Sequence, residues 1–336
     1  AAVLPFAKRF GLKASVILGA LVLAFQYPAL AQVDGVGPAL FVLCFCSALG
    51  DAFYWSSYHA YFAALGDSSH RGHQIGAREA LAATVGIVAP LLGAWAIVTL
   101  GPHVAFAAVG VVQALSIVPL WRAPNVAIRH RAPGAVRASQ LGVALYLLHG
   151  VYTCAYFIVW NIALFVTLRE SFTAYGGAMA LAALTGALAG LALGRSIDAG
   201  HGRRAVAVAV GVVFVVVTMR AASLGSPELA VIANALGALV VCLFVPVLMT
   251  ATYNLAKASP CPLRFQIAAE SGWDLGCCAT ALAAAAMSGA GMSLSYAILL
   301  ALPASAGLFL LLRRYYATNP VAIDSVVASA APGPVS

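Results

Sequence analysis

Residues 141–168 read LGVALYLLHGVYTCAYFIVWNIALFVTL, a run of 28 residues that contains no Asp, Glu, Lys or Arg. In lipid every backbone polar group must find its partner inside the protein, so only helices and closed barrels span a membrane. Barrel strands are short and alternate in polarity, whereas about 20 mostly apolar residues suit a helix that crosses the hydrocarbon core. This run therefore predicts a transmembrane helix.

The composition of the whole chain agrees with that prediction. Of the 336 residues, 63% are hydrophobic and 8% are charged, against roughly a quarter charged in a soluble domain. So few charges cannot form the polar surface of a soluble enzyme of this size, and the composition also excludes a disordered chain. The seven cysteines show no repeated CxxC spacing. We interpret them as small apolar side chains inside helices, and we expect neither a metal nor a cofactor.

Similar apolar runs predict ten membrane-spanning helices. They lie near residues 15–32, 38–64, 81–100, 102–120, 139–168, 174–193, 205–223, 230–256, 265–288 and 292–312. Residues 1–7 are expected to end an eleventh helix, so the sequence is expected to be incomplete at its N-terminus by one or two helices.

The basic residues are divided unequally between the two predicted sides of the membrane. Only Arg169 and Arg220 fall on one side, which leaves 16 of the 18 lysines and arginines on the other. The more basic side of a membrane protein is cytoplasmic, so we expect a multi-pass protein of the bacterial cytoplasmic (inner) membrane. The same bias accounts for the net charge of +8 without a nucleic-acid partner. Because no Lys or Arg is expected at mid-membrane, the interior is predicted to suit a cationic, amphipathic or neutral solute.

The longest predicted internal loop, residues 121–138, is basic and separates two groups of helices. Five spans follow it, and six would precede it if two helices are missing at the front. We predict an N-terminal helix bundle at 1–120, a cytoplasmic linker at 121–138, a C-terminal bundle at 139–314 and a disordered tail at 315–336. An internal repeat supports this plan, because residues 11–14 align with residues 202–205 at an offset of 191.

Residues 194–204 read GRSIDAGHGRR and resemble the signature loop of the major facilitator superfamily, roughly G-x-x-x-D-R-x-G-R-R/K. The matching residues are Gly194, Asp198, Gly202, Arg203 and Arg204. Ala199 stands where the family has Arg, and one residue is inserted. The first-half counterpart, residues 5–13, keeps Gly11 and its positive charge but lacks the Asp. We predict a gating loop here, and simple topogenic positive charge is the alternative.

Residues 86–94 read GIVAPLLGA and look like the antiporter motif of that family's fifth helix. Gly86, Pro90 and Gly93 match, Ala stands at two glycine positions, and ordinary packing of small residues is the alternative. Together the resemblances imply an all-α polytopic membrane protein with 6+6 helix bundles in pseudo-two-fold symmetry. About ten or eleven of the twelve helices would be present. They also imply transport by alternating access around a mid-membrane cavity.

Ionisable groups at bilayer depth are costly and usually mark function. Asp51 lies near mid-membrane, and Trp55 and His59 follow it on the same helix face, flanked by Tyr54 and Tyr58. By the resemblance this span is the fourth helix, which lines the central cavity. We predict a proton-coupling or substrate site at Asp51 with the aromatic residues around it. A structural Asp bonded to a neighbouring hydroxyl is the alternative.

A second candidate stripe begins at His149 and continues through Tyr152, Tyr156 and Trp160. By the resemblance it lies on the seventh helix, which also lines the cavity. Because a histidine can change charge near neutral pH, we predict a proton-coupling role for His149 and a substrate cavity along the aromatic residues. A satisfied interior histidine beside ordinary aromatic packing is the alternative.

The third candidate is a pair of carboxylates, Glu270 and Asp274, one turn apart in the eleventh-helix equivalent. Two like charges this close in a medium of low dielectric repel each other, so they form a plausible proton site or cation-binding pair. For Glu270 the alternative is a simple ion pair with Arg264.

An enzyme is the less favoured class. Residues 48–51, Ala-Leu-Gly-Asp, resemble one motif of intramembrane aspartyl proteases, but the second aspartate motif that a carboxylate dyad needs is absent. We predict a secondary active transporter that moves a small solute by proton-coupled antiport, as in efflux. Proton-coupled symport of a small nutrient, facilitated diffusion and a transporter-like receptor without flux stay open. The expected partners are the small-molecule substrate, protons and the lipid bilayer, and the expected state is a monomer.

Overall fold

The structure, a computed structural model, describes residues 2–65, 71–128, 131–194 and 202–318. All regular structure in these residues is helical, and they contain no strand. The helices are α1 (Val3–Leu30), α2 (Pro38–Leu65), α3 (Arg71–Leu100), α4 (Pro102–Leu115), α5 (Ala135–Ala138), α6 (Gln140–Thr153), α7 (Trp160–Thr167), α8 (Phe172–Gly194), α9 (Gly202–Ala222), α10 (Pro227–Ala258), α11 (Pro262–Gly289), α12 (Leu294–Leu299) and α13 (Ala301–Thr318). A 3-10 turn at Val118–Leu120 follows α4, and a π-helical segment at Cys154–Val159 joins α6 to α7.

Seven helical segments in the described part of the chain are long and apolar enough to cross a membrane. They are Val3–Leu30, Pro38–Tyr61, Pro102–Leu120, Gln140–Thr167, Phe172–Ala189, Pro227–Ala258 and Leu294–Thr318. Two shorter apolar stretches, Thr84–Leu100 and Val206–Ala222, add to them. Every predicted span overlaps a helix, so the prediction of an all-α polytopic membrane protein is confirmed.

Large apolar side chains cover the outer faces of these helices. Phe25 is 69% exposed, and Phe41, Phe45 and Trp95 are also exposed. In water an apolar surface of this kind would drive aggregation, whereas in a bilayer it contacts acyl chains as apolar as itself. Exposed rings of this kind suit a surface that contacts lipid.

Helix α1 is interrupted at Gly11, whose φ of 86° and ψ of 173° are not helical. Asn125 bonds to both sides of the break: its Nδ2 donates to the Phe10 carbonyl at 2.7 Å, and its Oδ1 accepts from the Lys13 backbone N–H at 3.2 Å. The Lys13 ammonium also donates to the Ala123 carbonyl at 2.9 Å. The helical turns before Gly11 include most of residues 1–7, which the sequence predicts to end a separate helix.

The chain divides into two compact units. The N-terminal unit comprises residues 1–66, 93–140 and 256–270, and the C-terminal unit comprises residues 67–92, 141–255 and 271–336. The buried core of the N-terminal unit contains Ala7, Leu12, Val16, Ala60, Tyr61, Cys261 and Leu263. The core of the C-terminal unit is larger and includes Tyr152, Tyr156, Trp160, Phe244 and Leu308. The predicted bundle boundaries at 120, 138 and 314 stay predictions, and most of the predicted tail lies outside the described residues.

Within the C-terminal unit, α6 and α11 pack at a crossing lined by glycines. A Cβ on Gly150 would overlap the Trp273 carbonyl oxygen, and one on Gly276 would overlap the Leu147 carbonyl oxygen. A Cβ on Gly272 would lie 2.6 Å from the Val143 carbonyl oxygen. Small residues allow two helix backbones to approach this closely, and this approach fixes which residues of α6 and α11 lie at the same level.

Candidate functional site

The Asp51 face of α2 carries a cluster of four aromatic rings. Tyr54 and Tyr58 stack with their ring centroids 5.7 Å apart, and Trp55 and His59 stack at 5.8 Å. Trp55 is 45% exposed, and Asp51, one turn earlier, is exposed as well. The structure therefore brings together the aromatic residues predicted to surround Asp51.

Two glycines set the position of this face. A Cβ on Gly19 of α1 would lie 2.5 Å from the Tyr54 backbone nitrogen, and a Cβ on Gly50 of α2 would lie 2.6 Å from Leu23. The backbones of α1 and α2 are therefore in close contact along the stretch that carries Asp51. The packing of one side of α2 against α1 leaves Asp51 and Trp55 on an accessible side.

The second predicted stripe forms one continuous series of rings along α6 and the π-helical segment. His149 stacks on Tyr152 with a centroid distance of 6.1 Å, and Tyr152 stacks on Tyr156 at 4.9 Å. Tyr146 meets the other side of His149 edge to face. The His149 Nδ1 atom is buried and has no hydrogen-bond partner among the described residues. A buried polar atom without a partner is costly and calls for an explanation.

At the far end of the stripe the rings contact Arg220 of α9, which is only 3% exposed. Its Nη1 donates to the Tyr156 carbonyl at 2.6 Å, and its Cζ lies 4.0 Å from the Tyr156 ring centroid and 4.7 Å from that of Trp160. Trp160 Nε1 donates to Asn234 Oδ1 at 2.9 Å, and Asn234 Nδ2 donates to the Ala178 carbonyl at 3.1 Å. Four helices of the C-terminal unit thus meet in one polar and aromatic cluster.

Sequence reasoning missed this position. It placed Arg220 with Arg169 on the aqueous side of the membrane, but the structure buries the Arg220 side chain against two rings. An available signal was that Arg220 lies in the last turn of the predicted span rather than in the loop after it, between the apolar residues Met219 and Ala221. Topogenic arginines lie in loops, whereas an arginine within a span usually faces a partner in the protein interior.

The backbone around Tyr156 has an unusual form. The π-helical turns at Cys154–Val159 do not follow the regular i to i−4 ladder, and such segments occur frequently at functional sites. The Tyr156 carbonyl accepts from Arg220, while the Tyr156 hydroxyl donates to the Gly237 carbonyl at 2.9 Å. This one residue therefore links three helices through its backbone and its side chain.

The predicted carboxylate pair lies on α11. Glu270 is half-buried and Asp274 is exposed. The glycine crossing between α6 and α11 joins Gly150, which follows His149, to Trp273, which precedes Asp274. His149 and Asp274 therefore lie at the same level of two contacting helices.

The predicted gating loop falls largely outside the described residues, and Asp198 is among those not described. Gly194 ends α8, and Gly202, Arg203 and Arg204 begin α9.

The fifth-helix motif lies within α3. A Cβ on Gly86 would contact Ala183 at 3.5 Å, whereas one on Gly93 would meet no described atom within 4 Å. The described residues therefore leave room for a side chain at both glycines, and Pro90 lies between them.

No group of three or more His, Cys, Asp or Glu side chains that could hold a metal ion occurs in the part of the chain that the structure describes.

The family model of the Major Facilitator Superfamily matches residues 4–166, from the first turns of α1 to the end of α7. No curated protein matches the chain.

Proposed function

We propose that the chain moves a small solute across the membrane in exchange for protons, because residues 4–166 match the family model of the major facilitator superfamily, whose members are secondary transporters. In this proposal the two bundles alternate in opening to the two sides of the membrane. The solute and the protons bind in turn to groups near mid-membrane, and the protein has no enzymatic step.

The observation that carries the proton-coupling proposal is the environment of His149. Its Nδ1 is buried, has no hydrogen-bond partner among the described residues and belongs to a ring stacked on Tyr152. An imidazole in this setting can accept a proton and can pass it on when its surroundings change. Asp274 on the adjoining helix lies at the same level. Its carboxylate would stabilise the positive charge of a protonated His149.

Asp51 is the proposed coupling group of the N-terminal unit. The rings of Tyr54, Trp55, Tyr58 and His59 stack in pairs beside it, and Trp55 offers an exposed ring face. Aromatic faces bind both apolar rings and cations. We propose that this cluster contacts the solute while Asp51 gains or loses the coupled proton.

The proposal favours antiport on the Gly86–Pro90–Gly93 pattern. Proton-coupled symport would use the same groups, but the protons would move in the same direction as the solute. A receptor that binds without flux is the alternative from another class, and the cost of an ionisable group such as Asp51 at bilayer depth speaks against it.

The test is proton flux in liposomes that contain the full-length protein, a trapped pH dye and an imposed pH gradient. Addition of a transported solute is expected to change the pH inside the liposomes. The sign of this pH change distinguishes antiport from symport. Asp51→Asn, His149→Gln and Asp274→Asn are each expected to lower solute-dependent proton flux at least tenfold, because none of these side chains can then exchange a proton at the working pH.

Two substitutions serve as matched controls. Asp34→Asn and His103→Gln remove the same kinds of group at exposed positions outside both aromatic series, and they are expected to leave flux unchanged. If the three site variants transport like the parent protein and keep its pH dependence, the proton-coupling proposal is wrong. If no solute in a broad panel produces flux through the folded protein, the proposal of a receptor without flux replaces the transport proposal.

A further inference from the structure

The Arg220 guanidinium is a buried cation that has no counter-ion in the part of the chain that the structure describes. Its side chain is 3% exposed, and no carboxylate among the described residues pairs with it. A buried charge is very costly unless it is paired and hydrogen-bonded. The faces of Tyr156 and Trp160, at 4.0 and 4.7 Å, offset only part of that cost, because a cation–π contact is worth less than a desolvated ion pair.

The one hydrogen bond between the Arg220 side chain and the described residues uses Nη1 and leaves Nε without a partner. Nη1 donates to the Tyr156 carbonyl at 2.6 Å. Nε is buried and has no partner, and the described residues make no second hydrogen bond to this side chain. The edge formed by Nε and Nη2 is the one that binds a carboxylate or phosphate through two parallel hydrogen bonds.

The surrounding residues hold this edge in one position. A Cβ on Gly237 would overlap Nη2 and lie 2.9 Å from Cζ, so α10 has room for the guanidinium only because residue 237 is glycine. The Trp160 ring is fixed in turn by its hydrogen bond to Asn234 at 2.9 Å. The cation is therefore preorganised, which lowers the cost of binding a ligand.

An open cavity of about 340 Å³ lies between the end of α7, residues 224 and 225 after α9, and the start of α12. Its lining consists of Ala163, Val166, Thr167, Leu224, Gly225 and Leu294. Ala163 follows Trp160 by three residues, and Leu224 follows Arg220 by four. The cavity is near this cluster along the chain, but Arg220, Tyr156 and Trp160 are not among its lining residues.

We propose that Arg220, enclosed by Tyr156 and Trp160, binds an oxyanion, namely a carboxylate, phosphate or sulfonate group of the transported solute, through its Nε–Nη2 edge. The inference rests on the proposed transport function and names the substrate class of that function. The bound anion neutralises the buried charge. The solute is thus an organic anion, in contrast to the cationic or neutral solute that the sequence favoured.

The test measures equilibrium binding to the purified full-length protein in low-chloride buffer, by the shift in its thermal unfolding. The probes are acetate, succinate, inorganic phosphate and methanesulfonate, with acetamide and succinamide as neutral analogues. At least one oxyanion is expected to raise Tm in a saturable manner, and the neutral analogues are not. Arg220→Lys is expected to weaken that binding at least tenfold, because a lysine keeps the charge but loses the two-point edge.

Arg169→Gln is the matched control, since Arg169 is exposed and lies on the same predicted side of the membrane. It is expected to keep the parent affinity. If Arg220→Lys does not fold, Gly237→Ala, which displaces the guanidinium, replaces it and is expected to weaken oxyanion binding by a similar factor. The inference is wrong if no oxyanion shifts Tm, or if the Arg220 variants bind as tightly as the parent protein.

A second arm distinguishes a soluble anion from a lipid headgroup. The same titration is run in nanodiscs of zwitterionic lipid and in nanodiscs that also contain anionic lipid. Equal affinity in both is expected. Binding that occurs only with anionic lipid overturns the inference in favour of a lipid site. If neutral or cationic solutes are transported and no oxyanion binds, the oxyanion inference is wrong and the transport proposal stands. If an oxyanion binds and no solute is transported, the transport proposal is wrong and the oxyanion site stands.

Discussion

At the scale of the single residue, Gly11 shows how one backbone position depends on a distant side chain. Its φ of 86° and ψ of 173° lie in a region that only glycine occupies readily. The space next to its Cα is filled by the Asn125 side chain, which lies in the segment predicted as the linker. We expect Gly11→Ala to lower the free energy of unfolding by about 3 kcal/mol or more, since it combines backbone strain with steric overlap.

Gly101 provides a matched control for that experiment. Its φ of 83° and ψ of 161° are nearly the same, but a Cβ there meets no described atom within 4 Å. Gly101→Ala is expected to show the strain alone, about 1–3 kcal/mol, in thermal or denaturant unfolding of the detergent-solubilised protein. Equal losses at the two positions would mean that Asn125 does not occupy the break in α1.

Arg220 is the residue at which sequence and structure differ most. The distribution of basic residues predicts that Arg220 lies on the less basic side of the membrane, but this pattern counts charges and carries no information about side-chain direction. Its neighbours Tyr156 and Trp160 are about 60 positions earlier in the chain. Tertiary contacts, rather than local sequence, therefore determine that Arg220 packs against two aromatic rings instead of lipid headgroups.

At the scale of the element, the crossing of α6 and α11 depends on the absence of side chains at three glycines. A Cβ on Gly150 would overlap the Trp273 carbonyl and lie 2.9 Å from the Cys277 backbone nitrogen. Gly150→Ala is therefore expected to separate the two helices and to cost about 1–3 kcal/mol of stability. It should also reduce flux, because the relative level of His149 and Asp274 would change.

Gly177 on α8 of the same unit is the control for this change. A Cβ there would meet no described atom within 4 Å. Gly177→Ala is expected to be neutral or to stabilise the protein by about 0.5–1 kcal/mol, because alanine favours the helix over glycine. A Gly150→Ala variant as stable as Gly177→Ala, measured in the same unfolding assay, would show that the crossing is not close-packed.

The helices themselves follow from local sequence, and their contacts do not. The run at 141–168 predicts a span that the structure contains as Gln140–Thr167. The same run gives no sign that its centre is π-helical at Cys154–Val159. That form is accompanied by the Arg220 hydrogen bond to the Tyr156 carbonyl, and the donor lies on another helix.

At the scale of the whole molecule, the distribution of basic residues predicts the orientation in the membrane. In a cysteine-free background, Ser171→Cys, between α7 and α8, is expected to react with a membrane-impermeant maleimide added to intact cells. Lys257→Cys, at the end of α10, is expected to react only after the membrane is permeabilised. Both positions are exposed, so accessibility to the reagent depends on the side of the membrane.

The opposite labelling pattern would reverse the orientation and with it the direction of proposed solute movement. Reaction of both cysteines in intact cells would contradict a single orientation. The two positions therefore test the orientation without any assumption about the solute.

The sequence by itself determined that the chain is a helical membrane protein in which residues 4–166 match the major facilitator superfamily. Length and hydropathy act locally: about 20 apolar residues must form a helix in lipid, whatever their neighbours are. The candidate positions Asp51, His149 and Asp274 followed from the cost of ionisable groups at that depth, which is also a local property.

Only the tertiary structure decided which side chains share a site. The stacking of His149 on Tyr152 lies within one helix and could be anticipated from spacing. The Asn125 contact at Gly11 and the enclosure of Arg220 by Tyr156 and Trp160 join distant segments of the chain. Such contacts depend on how helices pack, and packing depends on the summed fit of many side chains rather than on any one run of sequence.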